Sequence, residues 1–255
     1  MVAEHREMTA LREDKDNRLS APTLLILHLA PGIGFALFFF AFSRILIQFG
    51  ITAYLALIIA IPACLVPMEV AVMLWWGRRF AGSRSLKEVI RYRRKGTMVE
   101  YVVFPVLLFL CLGLSSFAVG LVSQHIGTIS PSWLPKWATQ ETLMDGLRHC
   151  PADQRNVALL LAILFSGVVA PVVEELYFRG FLLPRMEYLG WAAPVLSSLL
   201  FAAYHFYFPE NVLLIFVGFL PISYVVWKSR NVTISIITHM IINLWGVAQL
   251  FLVLT

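Results

Sequence analysis

At 255 residues the chain has room for one or two soluble domains, yet 59% of it is hydrophobic and its mean hydropathy is +0.78. That is more apolar material than a soluble core and surface can use, so a soluble globular protein is excluded. The net charge of +5 would suit nucleic acid, but the placement of the basic residues assigns them to membrane topology instead.

In chain order, Met1 to Ser20 is a polar tail. Runs with few or no charges and the length needed to cross ~30 Å of hydrocarbon follow at Leu24 to Ser43, Ile51 to Trp76 and Val99 to Val122. Four more run from Val157 to Leu183, Trp191 to Phe208, Val212 to Trp227 and Val232 to Leu254. The expected fold is all-α, a polytopic transmembrane helical bundle of about seven spans, with six to eight as the range. The first run is too long for the apolar core of a secretory signal and reads as a retained span. The sixth run is short, at about sixteen residues, and needs a thinned bilayer or protein contact to cross.

Placing the N-terminus inside puts all but Arg44, Lys136, Arg148 and Arg155 of the 20 Lys and Arg on the cytoplasmic side. This is the positive-inside asymmetry; its centre is the basic loop 78–96, RRFAGSRSLKEVIRYRRKG, which anchors on solvent or anionic lipid. The exterior connection 123–155 carries Trp133 and Trp137 as interface anchors. The chain therefore divides into a tail, 1–20, an N-terminal transmembrane region, 21–155, and a second transmembrane region, 156–255. Cys64 and Cys111 read as small core residues, and Cys150 has no evident partner in the sequence. No internal repeat is visible, which argues against an inverted-repeat transporter.

The chemistry is concentrated after residue 170. In PVVEELYFR, Glu175 and Arg179 are four residues apart, so they stack on one helical face and pair, while Glu174 is turned aside. An ionised group near the bilayer centre is unfavourable by roughly 2.5–3.5 kcal/mol on insertion scales, so a second, unpaired acid asks for a use. His205 follows Phe201 by one turn in FAAYH, and the ring can wall one side of the imidazole. His239 and Asn243 stack in the same way in HMIIN. Either histidine group alone is more often a packing or clamping device. Counted from the cytoplasmic ends of their spans, however, Glu174, His205 and His239 lie about 20, 21 and 12 Å deep, near enough to share a layer once helices tilt. A desolvated carboxyl suits a general base for water, an imidazole orients that water, and an amide with a second histidine can face the oxygen of a tetrahedral intermediate. Glu69, seven residues before Trp76, reads as interfacial or helix-pairing.

Taken together and in this order, Glu174-Glu175-x-x-x-Arg179, Phe201-x-x-x-His205 and His239-x-x-x-Asn243 on successive apolar segments resemble the CPBP family of CAAX prenyl proteases and bacteriocin-processing enzymes. The resemblance covers about Pro171 to Leu244. It implies an intramembrane endopeptidase, with residues 156–255 as the catalytic region and Glu174 as the base that activates water. It also implies His205 as the partner of Glu174, His239 and Asn243 as polarising groups, Glu175 with Arg179 as their support, and Phe201 as a pocket wall. The implied partners are a peptide or prenylated protein substrate and membrane lipid, without nucleic acid. A metal-free reaction is expected; should zinc be used, the ligands would be Glu174, His205 and His239, although no HExxH is present. The compact loops point to a bacterial plasma membrane. Two other readings stand beside this one: a catalytically silent scaffold or self-immunity protein that keeps the fold, and a proton-coupled transporter. A GxSx fragment at Gly113 to Ser116 lacks the glycine that a rhomboid-type serine site would place after Ser115.

Overall fold

The computed structural model describes residues 18–80, 82–126 and 132–254. Most of the expected tail, with Arg6, Arg12 and Lys15, lies outside them, as does 127–131 of the exterior connection. Among the described residues the architecture is a transmembrane helical bundle, all-α as expected, with one isolated bridge between Arg93 and Asn231.

Local chemistry fixes where the helices begin. Helix α1 (Ala21–Gln48) starts at Ser20, whose hydroxyl accepts from the Thr23 amide at 3.4 Å, and is followed by Gly50 with φ of 77°. Helix α2 (Ala53–Phe80) starts at Thr52, which accepts from the Leu55 amide at 3.3 Å. It widens into a π-turn at Ile61–Leu65, where Pro62 has no N–H to give. Helix α3 (Met98–Ile126) opens with a reciprocal capping box: the Thr97 amide donates to Glu100 at 2.7 Å, and the Glu100 amide donates to Thr97 at 3.2 Å. Helix α4 (Gln140–His149) is amphipathic, buries Leu143 and Leu147, and lies against the first turns of α2.

The remaining helices form the core of the bundle. Helix α5 (Ala152–Leu189) has 38 residues and alternates α-helical turns with π-turns at Ala162–Val169 and Leu176–Leu182. Helix α6 (Ala192–Tyr204) is followed by α7 (Val212–Ser229) and α8 (Val232–Leu254). Helix α6 packs between α1 and α7, and α5 lies on α2 and α8. Helix α3 leans on α7 and α8 from outside and otherwise faces lipid, with only 11% of its apolar window buried.

Among the described residues six helical stretches are long and apolar enough to cross a membrane: α1, α2, α3 to Val122, α5, 209–229 and α8. The one expected span left over, the fifth in chain order, is α6, and it corrects the sequence reading. The short element is this one, not the sixth, because α7 holds 18 residues and is preceded by a 3₁₀ turn at Pro209–Asn211. At ~1.5 Å per residue α6 reaches only about 20 Å. It stops at Tyr204 rather than Phe208 because His205 leaves helical geometry and its Nδ1 binds the Phe201 carbonyl at 2.9 Å, taking the acceptor that the next helical amide would use.

At its basic end the bundle is latched by side chains from three segments. The Tyr92 hydroxyl donates to Glu187 at 2.6 Å, and Arg230 bonds both Tyr92 and Glu187. Burial pushes the Tyr92 hydroxyl up from 10.0 to about 12. Arg230 takes a left-handed conformation, φ 56°, at the end of α7, and Asn231 caps α8 by accepting from the Thr233 amide at 3.1 Å.

Candidate active site

The π-turns of α5 set the site. At Ala162–Val169 the amide of Ala170 bonds the Phe165 carbonyl, five residues back, instead of Ser166. The residue that would then serve Ser166 is Pro171, which has no N–H, so the Ser166 carbonyl is left without a helical donor. Asn243 of α8 supplies one: its Nδ2 donates to the Ser166 oxygen at 2.8 Å. A backbone irregularity in one helix thus fixes the amide of another.

One turn further along α5 lie Glu174, 4% exposed, and Glu175, fully buried. Glu175 Oε1 accepts from Arg179 Nη1 at 3.2 Å, so the pair read from the i, i+4 spacing forms, and both side chains are wholly buried. The same oxygen accepts from His239 Nδ1 at 3.0 Å. A carboxylate oxygen beside a guanidinium can only accept, so Nδ1 of His239 carries the proton and Nε2 faces the other way. Nε2 is 3.8 Å from Glu174 Oε2. Arg179 also meets the Ser223 hydroxyl, 3.3 Å from Nε, and the rings of Phe201 and Phe219, whose centroids are 4.1 and 5.3 Å away. These contacts replace part of what water would give the cation, while Nη2 has no hydrogen-bond partner among the described residues.

His205 sits at the C-terminal end of α6. Because its Nδ1 donates to the Phe201 carbonyl, Nε2 is left as an acceptor. The Phe201 ring stands edge-on to both histidines, at 4.8 Å from His205 and 6.1 Å from His239.

Glu174, His205, His239, Asn243 and Phe201 all line one cavity of about 490 Å³, otherwise walled mainly by apolar side chains of α1, α2, α7 and α8. Glu175 and Arg179 lie behind its wall. The spans thus bring these side chains to one cavity, and of the two histidines it is His239 that approaches Glu174. Glu69 and Tyr204, like Ser166, Ser223 and Phe219, adjoin the set and were not read as part of it. Glu69 of α2 is 1% exposed and so is not interfacial, and Tyr204 lies between it and Glu174, 3.1 Å from Glu69 Oε1 and 3.2 Å from Glu174 Oε1.

Zinc would require Glu174, His205 and His239 to converge on one point. The carboxylate behind His239 is of the kind that also orients metal-bound histidines. Yet among the described residues no three His, Cys, Asp or Glu side chains are placed to hold an ion, so the set as it stands does not fit zinc.

Comparison with known protein families gives a match. The model described as type II CAAX prenyl endopeptidase Rce1-like aligns with residues 156–245. This stretch is Rce1-like. It begins just before the first π-turn of α5, ends two residues after Asn243, and contains all three motifs on which the family resemblance was read. Glu69 lies outside the Rce1-like stretch. Searches of curated proteins and of solved structures returned no significant match.

Proposed function

We propose that the protein is an intramembrane endopeptidase that cleaves a peptide bond beside a prenylated or otherwise hydrophobic segment, using water activated by Glu174. The observation that carries this reading is the facing pair, Glu174 Oε2 and His239 Nε2, 3.8 Å apart on the wall of a largely apolar cavity that His205 and Asn243 also line. The separation leaves room for a water lodged to one side of the pair and bonded to both. Glu174 takes a proton from that water as its oxygen attacks the scissile carbonyl, and returns the proton to the leaving amine as the C–N bond breaks. The two protons of that water go to Glu174 and to His239 Nε2, so His205 Nε2, a third acceptor, faces the substrate rather than the water. Asn243 has one N–H on Ser166 and a second free for the developing oxyanion. Glu175 and Arg179 hold His239 in its tautomer.

The match to a prenyl endopeptidase family and the apolar lining together support a peptide carrying a prenyl group. The basic residues of 78–96 support a cytoplasmic side for that loop and for the N-terminus, by the positive-inside rule. No metal is invoked, because the three side chains that would bind one do not converge.

The test is cleavage of a panel of farnesylated and unmodified peptides by the purified protein in detergent, wild type against Glu174→Gln, with and without a strong zinc chelator. Cleavage by wild type alone, indifferent to chelator, is expected. Full activity in Glu174→Gln, or no cleavage of any peptide by wild type, would overturn the reading, and loss with chelator would replace its metal-free chemistry.

A further inference from the structure

Glu69 is a carboxyl buried in the membrane on a helix that supplies none of the three motifs. It does not line the cavity, and neither does Tyr204, so neither touches a substrate held there. Their arrangement is nevertheless specific. The Tyr204 oxygen is within hydrogen-bond distance of one oxygen of each of two glutamates, on α2 and on α5, which are its only polar side-chain partners among the described residues.

Hydrogen counting decides what this bridge can be. A phenol has a single proton, and an ionised carboxylate has none to give. Tyr204 can donate fully to one glutamate only, so the other contact is sound when that glutamate carries a proton and donates to the phenol oxygen. Glu174 lines the cavity, where water can bond an ionised carboxylate, whereas Nε2 of His239 offers it no proton. Glu69 Oε2 has no hydrogen-bond partner among the described residues, and an unsolvated oxygen is far less costly on a neutral carboxyl than on an ionised one. The chain of donors therefore runs from Glu69 to Tyr204 to Glu174.

We infer that Glu69, acting through the Tyr204 hydroxyl, is a positioning residue that fixes the Glu174 carboxylate with Oε1 tied back and Oε2 presented to His239 and the cavity. The geometry of Glu174 supports this, since the two oxygens are divided between the two tasks: Oε1 meets Tyr204 and Oε2 faces Nε2 of His239. Tyr204 is itself immobilised. Its ring packs edge-on against Phe178 with centroids 5.0 Å apart, and its backbone lies so close to Gly32 of α1 that a Cβ on the glycine would strike both the Tyr204 carbonyl and its ring. Three helices thus fix one carboxylate rotamer, and a base held within a fraction of an ångström is what hydrolysis at this site demands.

The inference rests on the proposed hydrolysis, and its test has an arm that does not. Full-length wild type, Glu69→Leu, Glu69→Gln, Tyr204→Phe and the Leu/Phe double variant are purified in detergent. Their melting temperatures are measured, and so are kcat and KM on a farnesylated peptide that wild type cleaves. Tyr204→Phe and Glu69→Leu are each expected to lower kcat by about ten- to a hundredfold with KM nearly unchanged. Glu69→Gln, whose amide still donates to the phenol, should recover most of the loss, and the double variant should be no worse than the worse single. Melting shifts of the two single changes should be less than additive, because both break one bridge. Wild-type kcat in Tyr204→Phe, or Glu69→Gln as impaired as Glu69→Leu, overturns the positioning role. Additive melting shifts overturn the bridge itself, whether or not any peptide is cleaved. If wild type cleaves nothing, the role in hydrolysis falls with the proposed function, while coupled melting would still establish the bridge.

Discussion

Glu175 and His239, 64 residues apart in the chain, are joined Oε1 to Nδ1 at 3.0 Å, and the same oxygen holds Arg179. One atom therefore sets both the charge balance of α5 and the tautomer of a histidine on α8.

Glu175→Gln should damage folding and activity together. It removes the charge opposite a fully buried guanidinium, and breaking such a pair by deleting one partner costs about 3–5 kcal/mol. It also permits His239 to turn. A melt of the purified variant should show the destabilisation, and peptide cleavage should fall by about a hundredfold or more at temperatures where the variant is folded. A variant as stable as wild type would contradict the ion pair.

Asn243→Ala should cost stability as well as rate, because it strands the Ser166 carbonyl at about 1–3 kcal/mol. Pro171→Ala restores an N–H at the position from which a π-turn amide would reach that carbonyl. The stability loss of Asn243→Ala should therefore be smaller in a Pro171→Ala background, a coupling read from a double-mutant cycle on melting temperature. Equal losses in both backgrounds would show that Pro171 is not why Asn243 is needed.

Gly246 lines the cavity and has no atom within 4 Å of where its Cβ would stand. Gly246→Phe is expected to fold normally and to fill part of the space. KM for a farnesylated peptide should rise more than KM for the unmodified peptide, by about tenfold, the scale at which a pocket discriminates by size. Equal changes for both would place the prenyl group elsewhere.

The latch at the basic end has a pH signature. The Tyr92 hydroxyl is raised from 10.0 to about 12, so between those values the folded protein keeps a proton that the unfolded chain has released. Its contribution is therefore full below pH 10 and declines as pH rises towards 12. Stability measured by denaturation across that window should fall with pH more steeply in wild type than in Tyr92→Phe; parallel curves would show that burial of the hydroxyl does not matter.

The sequence carried the membrane class, because apolar runs are long, and it carried the Glu175–Arg179 pair, because i, i+4 spacing within one helix needs no tertiary knowledge. It placed Phe201 beside His205 for the same reason. It misplaced the short helix, since hydropathy continues through FYF after His205 while the backbone does not: the imidazole takes a helical acceptor, an event that composition does not register. It read Glu69 as interfacial or helix-pairing and named no partner for it. The partner of Glu69 is Tyr204, 135 residues away, and a lone acid in an apolar run has no periodicity that points to a tyrosine on another helix. The tie between Asn243 and Ser166 was hidden in the same way, behind π-turns that only the folded backbone reveals.

Those π-turns make α5 a matter of phase rather than length. Each holds its helix in a wider winding, so removing one residue between Ala162 and Val169 would not simply shorten the helix by ~1.5 Å. It would let the turn relax to α geometry, and because the residue lost is the one that the wider turn absorbs, the two parts of α5 would stay in phase. The same deletion at Val172 or Val173, in the α-helical turn, would rotate one part of α5 against the other by ~100°, so that Ser166 and Glu174, which now address the same cavity, would look in different directions. For this protein a one-residue deletion in an apolar run, conservative by hydropathy, is absorbed or disassembles the site according to which winding loses the residue.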